Sequence, residues 1–468
     1  MKMITVARLL IAAAVMGPIP VHAQTDSRLD AVVQRLERLE RQNVELRDEV
    51  RLLRQELDLA RRAAPGSLSA ADGATSLPGR VDTVEEKLDL QASRLSEQDQ
   101  VKAESSQRVP IRLTGTLLFN LFQNSSHGTP AGVDYPVSAR VESAPSSFGA
   151  TIRRSVLGME FQAPQAVLGG QFSGSIFTDL TIGENLTNIQ PRLRTVAIEG
   201  RWNTFAIFAG QDKPIFSPRE PSSLAQVQFA PLTGAGNYWL WRPQIWLQQT
   251  VDLGKGREFR ARVGASQTPE TGGAIPPEAR ASLEPRRPAL EGHFQFAYRI
   301  DDVRRVEIGS GFHRSATHVL RQSVPADLIS LDWFVKPIHW VEITGAVFRG
   351  ENMSKGGSSG FAQGHALIVL RPGVFQAVPV QRRGGWSQVT FLPTSRLTVN
   401  LQAGVDDPKD DYLLPTSLTK NTALVFNSFY RLAPNVFWGF ELGHISTDFK
   451  GGQHPSYNHH DIHVAYLF

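Results

Sequence analysis

The last eight residues, Asp461–Phe468, read D-I-H-V-A-Y-L-F. Ile462, Val464, Tyr466 and Phe468 fall on one face, and Asp461, His463, Ala465 and Leu467 on the other. That period of two marks a strand with one apolar surface, and it runs to a terminal aromatic residue. The end of a soluble domain usually frays. A closed transmembrane barrel instead pairs its final strand to the end, because only closure removes the edges of a sheet in hydrocarbon. The octapeptide is thus an ordinary edge strand or the closing strand of a barrel.

The hydrophobic content of 41% and the mean hydropathy of −0.21 do not settle the matter. No uninterrupted apolar run after residue 20 approaches the ~18 residues of a membrane-spanning helix. Barrel strands, however, alternate lipid-facing and lumen-facing residues and look soluble on average. From Val109 onward the chain shows this alternation. Phe259, Ala261, Val263 and Ala265 alternate with Arg260, Arg262, Gly264 and Ser266. Leu290, Phe294, Phe296 and Tyr298 alternate with Glu291, His293, Gln295 and Ala297, and Leu397–Val405 repeats the pattern. The polar faces carry charges that a packed apolar core accepts only at high cost.

Short turns at Pro164–Ala166, Trp202–Thr204, Leu253–Gly256, Asp301–Asp302, Lys336–Pro337, Pro393–Ser395 and Ala433–Asn435 alternate with longer polar segments at 123–149, 181–191, 212–240, 267–286, 314–327, 350–383, 407–420 and 447–459. Seven turns and eight loops give sixteen strands, with both ends on the short-turn side. The doubtful place is 350–383, where His365–Leu370 reads as a buried loop segment or as part of an added pair that makes eighteen. The expectation is an all-β transmembrane barrel of about sixteen antiparallel strands over 107–468, with Asp461–Phe468 pairing a first strand near Ile111–Phe122.

The segments before the barrel have different periods. Residues 1–23 show the order of a secretory signal peptide: Lys2 and Arg8, the apolar run Leu9–Met16, then Val21-His22-Ala23. Residues 24–62 hold a heptad repeat with Leu29, Leu36, Asn43, Val50 and Leu57 at one seam position and Val32, Leu39, Leu46, Leu53 and Ala60 at the other. This spacing predicts a parallel α-helical coiled-coil stalk in which Asn43 fixes register. Residues 63–106 begin as an Ala/Gly/Ser/Pro-rich linker and continue into a weaker helix, Arg80–Gln100, that extends the stalk or acts as a spacer. Asn43 chooses no oligomer number. Residues 1–106 carry a net charge of −2 and residues 107–468 one of +6, and Arg outnumbers Lys 39 to 10.

Four stretches carry a resemblance. They are P-R-L-R-T-V-A-I-E-G-R-W (Pro191–Trp202), I-F-A-G-Q-D-K-P-I-F-S-P (Ile207–Pro218), G-A-G-N-Y-W-L-W-R-P-Q-I-W (Gly234–Trp246) and G-G-W-S-Q-V-T-F (Gly384–Phe391). Together with the overall plan they resemble the DcaP-like family of outer-membrane porins and, more distantly, the phosphate-selective porins O and P. The C-terminal alternation, with Tyr466 and Phe468, resembles the signal that barrel assembly machinery reads. The resemblance implies a bacterial outer-membrane location, a stalk in the periplasm, a homotrimer held through stalk and barrel walls, and uptake of small anionic solutes; the arginine-rich polar face adds the expectation that these are dicarboxylate-like. Thr195 and Val196 stand where the family usually has an aromatic pair after R-L-R.

A pore's selectivity lies where it is narrowest. Segment 212–240 is the candidate to fold inward, with Lys213, Arg219 and Glu220, bracketed by Arg192, Arg194 and Arg242. Arg154, Arg260 and Arg262 are placed on the same polar face. These eight basic residues are the expected lining; the bland alternative pairs them with Glu160, Glu199 and Glu258. The cluster Asp406, Asp407, Asp410 and Asp411 reads as a solvated loop. Of His454, His459, His460 and His463, only His459 and His463 share a face, so no metal is assigned. The chain has no G-x-S-x-G, H-E-x-x-H or Walker A loop, and no catalytic residue, cofactor or nucleic-acid partner is assigned. A tether between outer membrane and cell wall and, behind it, a barrel-borne hydrolase are the competing classes.

Overall fold

The computed structural model describes residues 111–128, 135, 137–163, 166, 168–182, 189–226, 229–268, 288–353 and 364–468. The signal peptide, the heptads and the second helix lie outside the described residues. The strands are β1 (Ile111–Asn124), β2 (Ser147–Thr151), β3 (Val156–Gln162), β4 (Gln171–Ile182), β5 (Ile189–Arg201), β6 (Phe205–Asp212), β7 (Arg242–Gly254), β8 (Arg257–Ser266), β9 (Ala289–Arg299) and β10 (Arg305–Val319). They continue as β11 (Gln322–Ile338), β12 (Val341–Glu351), β13 (His365–Arg371), β14 (Val374–Pro379), β15 (Gln381–Phe391), β16 (Leu397–Pro408), β17 (Leu418–Ala433), β18 (Val436–Phe449) and β19 (Ser456–Leu467).

Seventeen of these form one antiparallel sheet that closes on itself through β1 and β19. Both β2 and β3 pair with β1, the first with its Asn120–Asn124 end and the second with its Ile111–Thr116 end. They are one wall strand interrupted near Arg153 and Arg154, so the barrel has sixteen positions. Strands β13 and β14 pair only with each other, in a separate two-stranded sheet. The predicted loop 350–383 therefore contains a hairpin, and the count stays at sixteen. Closure runs from Thr116↔Leu467 to Asn124↔His459. It is finished by the last residue, where Gly115 N donates to Phe468 O at 2.9 Å and Phe468 N to Gly115 O at 3.1 Å.

The polarity of the wall is inverted relative to a soluble protein. Along β1, Leu117, Phe119 and Leu121 are exposed, while Leu118, Asn120, Phe122 and Asn124 are buried. Along β19, Ile462, Val464 and Tyr466 are exposed, while Asp461 and His463 are buried. Apolar side chains point outward and buried polar ones inward on strand after strand, an arrangement that water opposes and hydrocarbon favours. Tyr466 and Phe468 stack on the outside with ring centroids 6.3 Å apart.

Two connections differ from expectation. The polar stretch 314–327 is no loop: β10 and β11 continue through it and meet at a two-residue turn, Leu320–Arg321, with both residues at positive φ. Such turns are usually signalled by Asn-Gly or Asp-Gly, and neither is present. Similarly, β11 runs through Lys336 and Pro337, with a register irregularity between Val335 and Ile338, and turns at 339–340. The Asp301 turn is as read. The backbone N–H and the guanidinium of Arg304, together with the N–H of Val303, hold the Asp301 carboxyl down at about 2.

Candidate functional site

The interior is occupied chiefly by the segment between β6 and β7. Ile215, Phe216, Ala225, Leu232, Ala235, Tyr238 and Trp239 in it are all buried, although none belongs to the strand framework. The reason lies in which wall residues hold it. Ile215 N donates to Glu291 Oε2 of β9 at 2.8 Å, and Ser330 of β11 donates to Phe216 O at 2.8 Å. Arg219 Nε donates to Asp332 Oδ1 at 2.6 Å and Arg219 Nη2 to Glu307 Oε2 at 2.9 Å.

Further along, Ser222 N donates to Gln388 Oε1 at 2.7 Å. Ser222 O accepts from Gln402 at 2.6 Å and from Asn427 at 2.9 Å. Glu441 of β18 accepts from Ser223 Oγ at 2.5 Å and from Gln226 at 2.7 Å, and Asn120 of β1 donates to Leu224 O at 3.2 Å. Gln388, Thr390, Asn400, Asn427 and Glu441 are themselves linked side chain to side chain across β15 to β18. A polar belt thus grips the segment. The returning limb lies on β15–β17, where Asn421 Nδ2 donates to Gly234 O at 2.8 Å, and Tyr238 packs edge-on against Phe348 of β12. Burial pushes the Tyr238 phenol pKa up, so it stays neutral.

The close approach needs a missing side chain. A Cβ on Gly404 would collide with Ala235 O, and one on Gly236, at φ +95°, with Gly385 O and Val405 O. Gly404→Val is expected to lift Leu232–Gly236 off the wall and to destabilise the barrel by about 1–3 kcal/mol, as overpacking does. Guanidinium unfolding of the detergent-folded protein checks this.

The segment presses on β1, on β9–β12 and on β15–β18, leaving the wall at β3–β5 facing it. On that wall a single buried carboxylate, Asp179 of β4, receives two arginines of β5. Arg192 Nε and Nη2 donate to it at 2.9 and 2.6 Å, and Arg194 Nη1 at 3.4 Å. Both guanidiniums lie over Trp241, 5.1 and 4.6 Å from the ring centroid. Opposite stand Lys213 and Glu220, which form an ion pair. Arg262 of β8 donates to Gln248 at 2.8 Å and lies over Trp246 at 4.1 Å.

A cavity of about 380 Å³ lies beside Arg194 and Glu220, with Ser222, Ser223, Arg396 and Arg431 also on its lining and Phe429 and Phe437 as an apolar side. A second hollow of about 400 Å³ is lined by Arg112, Glu160, Gln162, Ser173, Ser175 and Glu199.

The eight predicted basic residues therefore do not form one ladder. Arg192, Arg194 and Lys213 come together. Arg219 is drawn to the far wall by two acids. Arg260 is paired with Glu258, as Arg112 is with Glu160 and Arg201 with Glu199. Arg154 and Arg242 are turned into buried seams, Arg154 Nη1 2.7 Å from Asp461 Oδ2 and Arg242 Nη1 3.1 Å from Glu291 Oε1. The partners Asp179, Glu291, Glu307, Asp332 and Asp461 were not singled out from sequence, though each stands on the inward parity of its strand. Nor was Trp241, whose neighbourhood W-L-W-R-P gave the only hint. Asp406 is buried against Arg382 at 3.4 Å, whereas Asp407 points outward to Arg383.

No family model matches the sequence, and no curated protein matches it. Among solved structures, the outer-membrane channel DcaP of Acinetobacter baumannii superposes with a TM-score of 0.59 at 16% identity, over 77% of this chain and 97% of that one. The fold is that of the DcaP channel. An anion-selective porin from Comamonas acidovorans follows, with a TM-score of 0.50 at 12% identity, over 77% of this chain and all of that one (100%). The DcaP resemblance drawn from Pro191–Trp202 and its companion stretches thus has its counterpart in three dimensions.

Proposed function

We propose that this chain is an outer-membrane porin, a passive diffusion path for small hydrophilic solutes that prefers anions. The observation that carries the reading is the Arg192–Arg194–Trp241 cluster facing Lys213 and Glu220, within a barrel whose outside is apolar. Counting Arg262 and the nearby Asp212, four cations face three carboxylates there. Fixed positive charge in a narrow passage lowers the entry barrier for anions and raises it for cations. The Comamonas relative is described as anion-selective, which supports the same direction. Small dicarboxylates suit the site, since paired guanidiniums bind carboxylate in a planar, two-pronged way.

In this reading the short-turn side and the residue 24–62 stalk face the periplasm, and Tyr466 and Phe468 serve barrel assembly. The protomers form a trimer through stalk and walls. Reversal potentials under a salt gradient in planar bilayers test selectivity: chloride over potassium is expected, and the opposite sign sinks the proposal. A tether needs no passage, so absent single-channel conductance would favour that class instead. Deleting Gln24–Arg62 is expected to leave conductance per barrel unchanged while shifting the oligomer towards monomer on sizing in detergent.

A further inference from the structure

The cavity of about 380 Å³ bordered by Arg194 and Glu220 extends from the polar belt towards the short-turn side. Its wall residues share the inward faces of belt residues. Thr398 and Arg396 precede Asn400 by two and four positions, Phe429 and Arg431 follow Asn427 by two and four, and Phe437 precedes Glu441 by four. Strand pairing sorts them into two layers. Thr398 is the register partner of Phe429. Arg431 is that of Phe437, and its backbone N–H donates to Arg396 O at 2.8 Å. Leu224 and Pro231 of the β6–β7 segment add to the apolar side. The layer nearer the belt is therefore apolar, and the layer nearer the turns holds two guanidiniums, that of Arg431 5.8 Å from the centroid of the Phe437 ring.

Guanidiniums on neighbouring strands repel each other, and a carboxylate between them turns that repulsion into two charge-assisted contacts. Among the described residues lining the cavity, Glu220 is the one carboxylate, and Lys213 pairs with it. Phe429 and Phe437 are half-buried, so an apolar group laid on them removes further ring surface from water.

We infer that this cavity is a second solute site, in series with Arg192 and Arg194, that takes amphipathic monocarboxylates. The carboxylate lies between Arg396 and Arg431, and an aryl body rests on Phe429 and Phe437. Same-face positions two residues apart on a strand are about 7 Å apart, a spacing that suits a carboxylate joined to a ring by a short chain. A dicarboxylate brings its second charge against the phenyl rings, at a desolvation cost, and an inorganic anion leaves the apolar side unused. The inference rests on the lumen being a solute path, as proposed above, and adds a class that the Arg192–Arg194 cluster does not select.

Calorimetric titration of the full-length protein in detergent with 3-phenylpropanoate, propanoate, 3-phenylpropanol and succinate provides the test. 3-Phenylpropanoate is expected to bind at least about tenfold tighter than propanoate or the alcohol, the scale of one buried ring or one charge-assisted contact. Arg396→Gln with Arg431→Gln should weaken it about tenfold. Phe429→Ala with Phe437→Ala should reduce it to the level of propanoate while leaving succinate unchanged. Equal binding of 3-phenylpropanoate and propanoate, or binding unaffected by the arginine changes, would overturn the assignment. The ligand comparison needs no variant, and gel mobility without heating confirms that each variant keeps its barrel. Anion-selective current without these binding differences overturns the second site alone; the binding differences without current overturn the porin reading alone.

Discussion

Charge reversal at Arg192 and Arg194, made together with Asp179→Asn, is expected to convert an anion-preferring conductance into a cation-preferring one. The third change matters. Asp179 has a fully buried side chain whose charge is balanced by those two arginines, and two glutamates beside it would leave three carboxylates in one place. With asparagine there, the local charge moves from +1 to −2. A unit charge a few ångströms from a permeating ion is worth roughly 1 kcal/mol even in water, less whatever salt screens. Three units, acting in opposite directions on anion and cation, should move the permeability ratio by tenfold or more. The neutral triple variant Arg192→Gln, Arg194→Gln, Asp179→Asn should lose the preference without inverting it. If the reversed variant keeps the wild-type reversal potential, the selectivity resides elsewhere in the lumen.

The largest stability effect is expected at the seam where the barrel closes. Asp461 Oδ2 of β19 accepts from Arg154 Nη1 at 2.7 Å, and Oδ1 accepts from Asn120 of β1 at 2.9 Å and lies 2.9 Å from His463 Nδ1. The Arg154 and Asp461 side chains are 1% and 0% exposed. Breaking such a pair on one side strands a charge, and Asp461→Leu should cost about 3–5 kcal/mol. Removing both charges should cost far less, so Arg154→Met with Asp461→Leu should recover most of the loss. Guanidinium unfolding of the single and double variants measures the coupling. Strict additivity would mean that the pair contributes nothing beyond its two separate side chains.

The wall was more legible than its contents, for a physical reason. A strand facing hydrocarbon must alternate, so Phe259–Ser266, Leu290–Tyr298 and Asp461–Phe468 announce both strand and face. The even count followed from turn chemistry at places such as Leu253–Gly256, where Gly254, Lys255 and Gly256 all take positive φ. Leu320–Arg321 has no such chemistry, and that hairpin went unread. Inside the lumen, pairing is long-range: Arg219 meets Asp332, and Ser222 meets Asn427, through closure of the sheet rather than through proximity in sequence. The acids on inward parity were visible one by one, but which arginine each would claim was not. A count of arginines therefore overstated the positive lining.

The polar belt that grips Ser222–Gln226 bears on behaviour in time. Swinging the β6–β7 segment aside would require breaking, together, its bonds to Glu291, Asp332, Gln388, Gln402, Asn427 and Glu441. Such a part acts as a fixed diaphragm, not a shutter. Open-state current should accordingly be flat and free of millisecond flicker, and the amides of Ile215–Gln226 should exchange with deuterium as slowly as those of the strands around them.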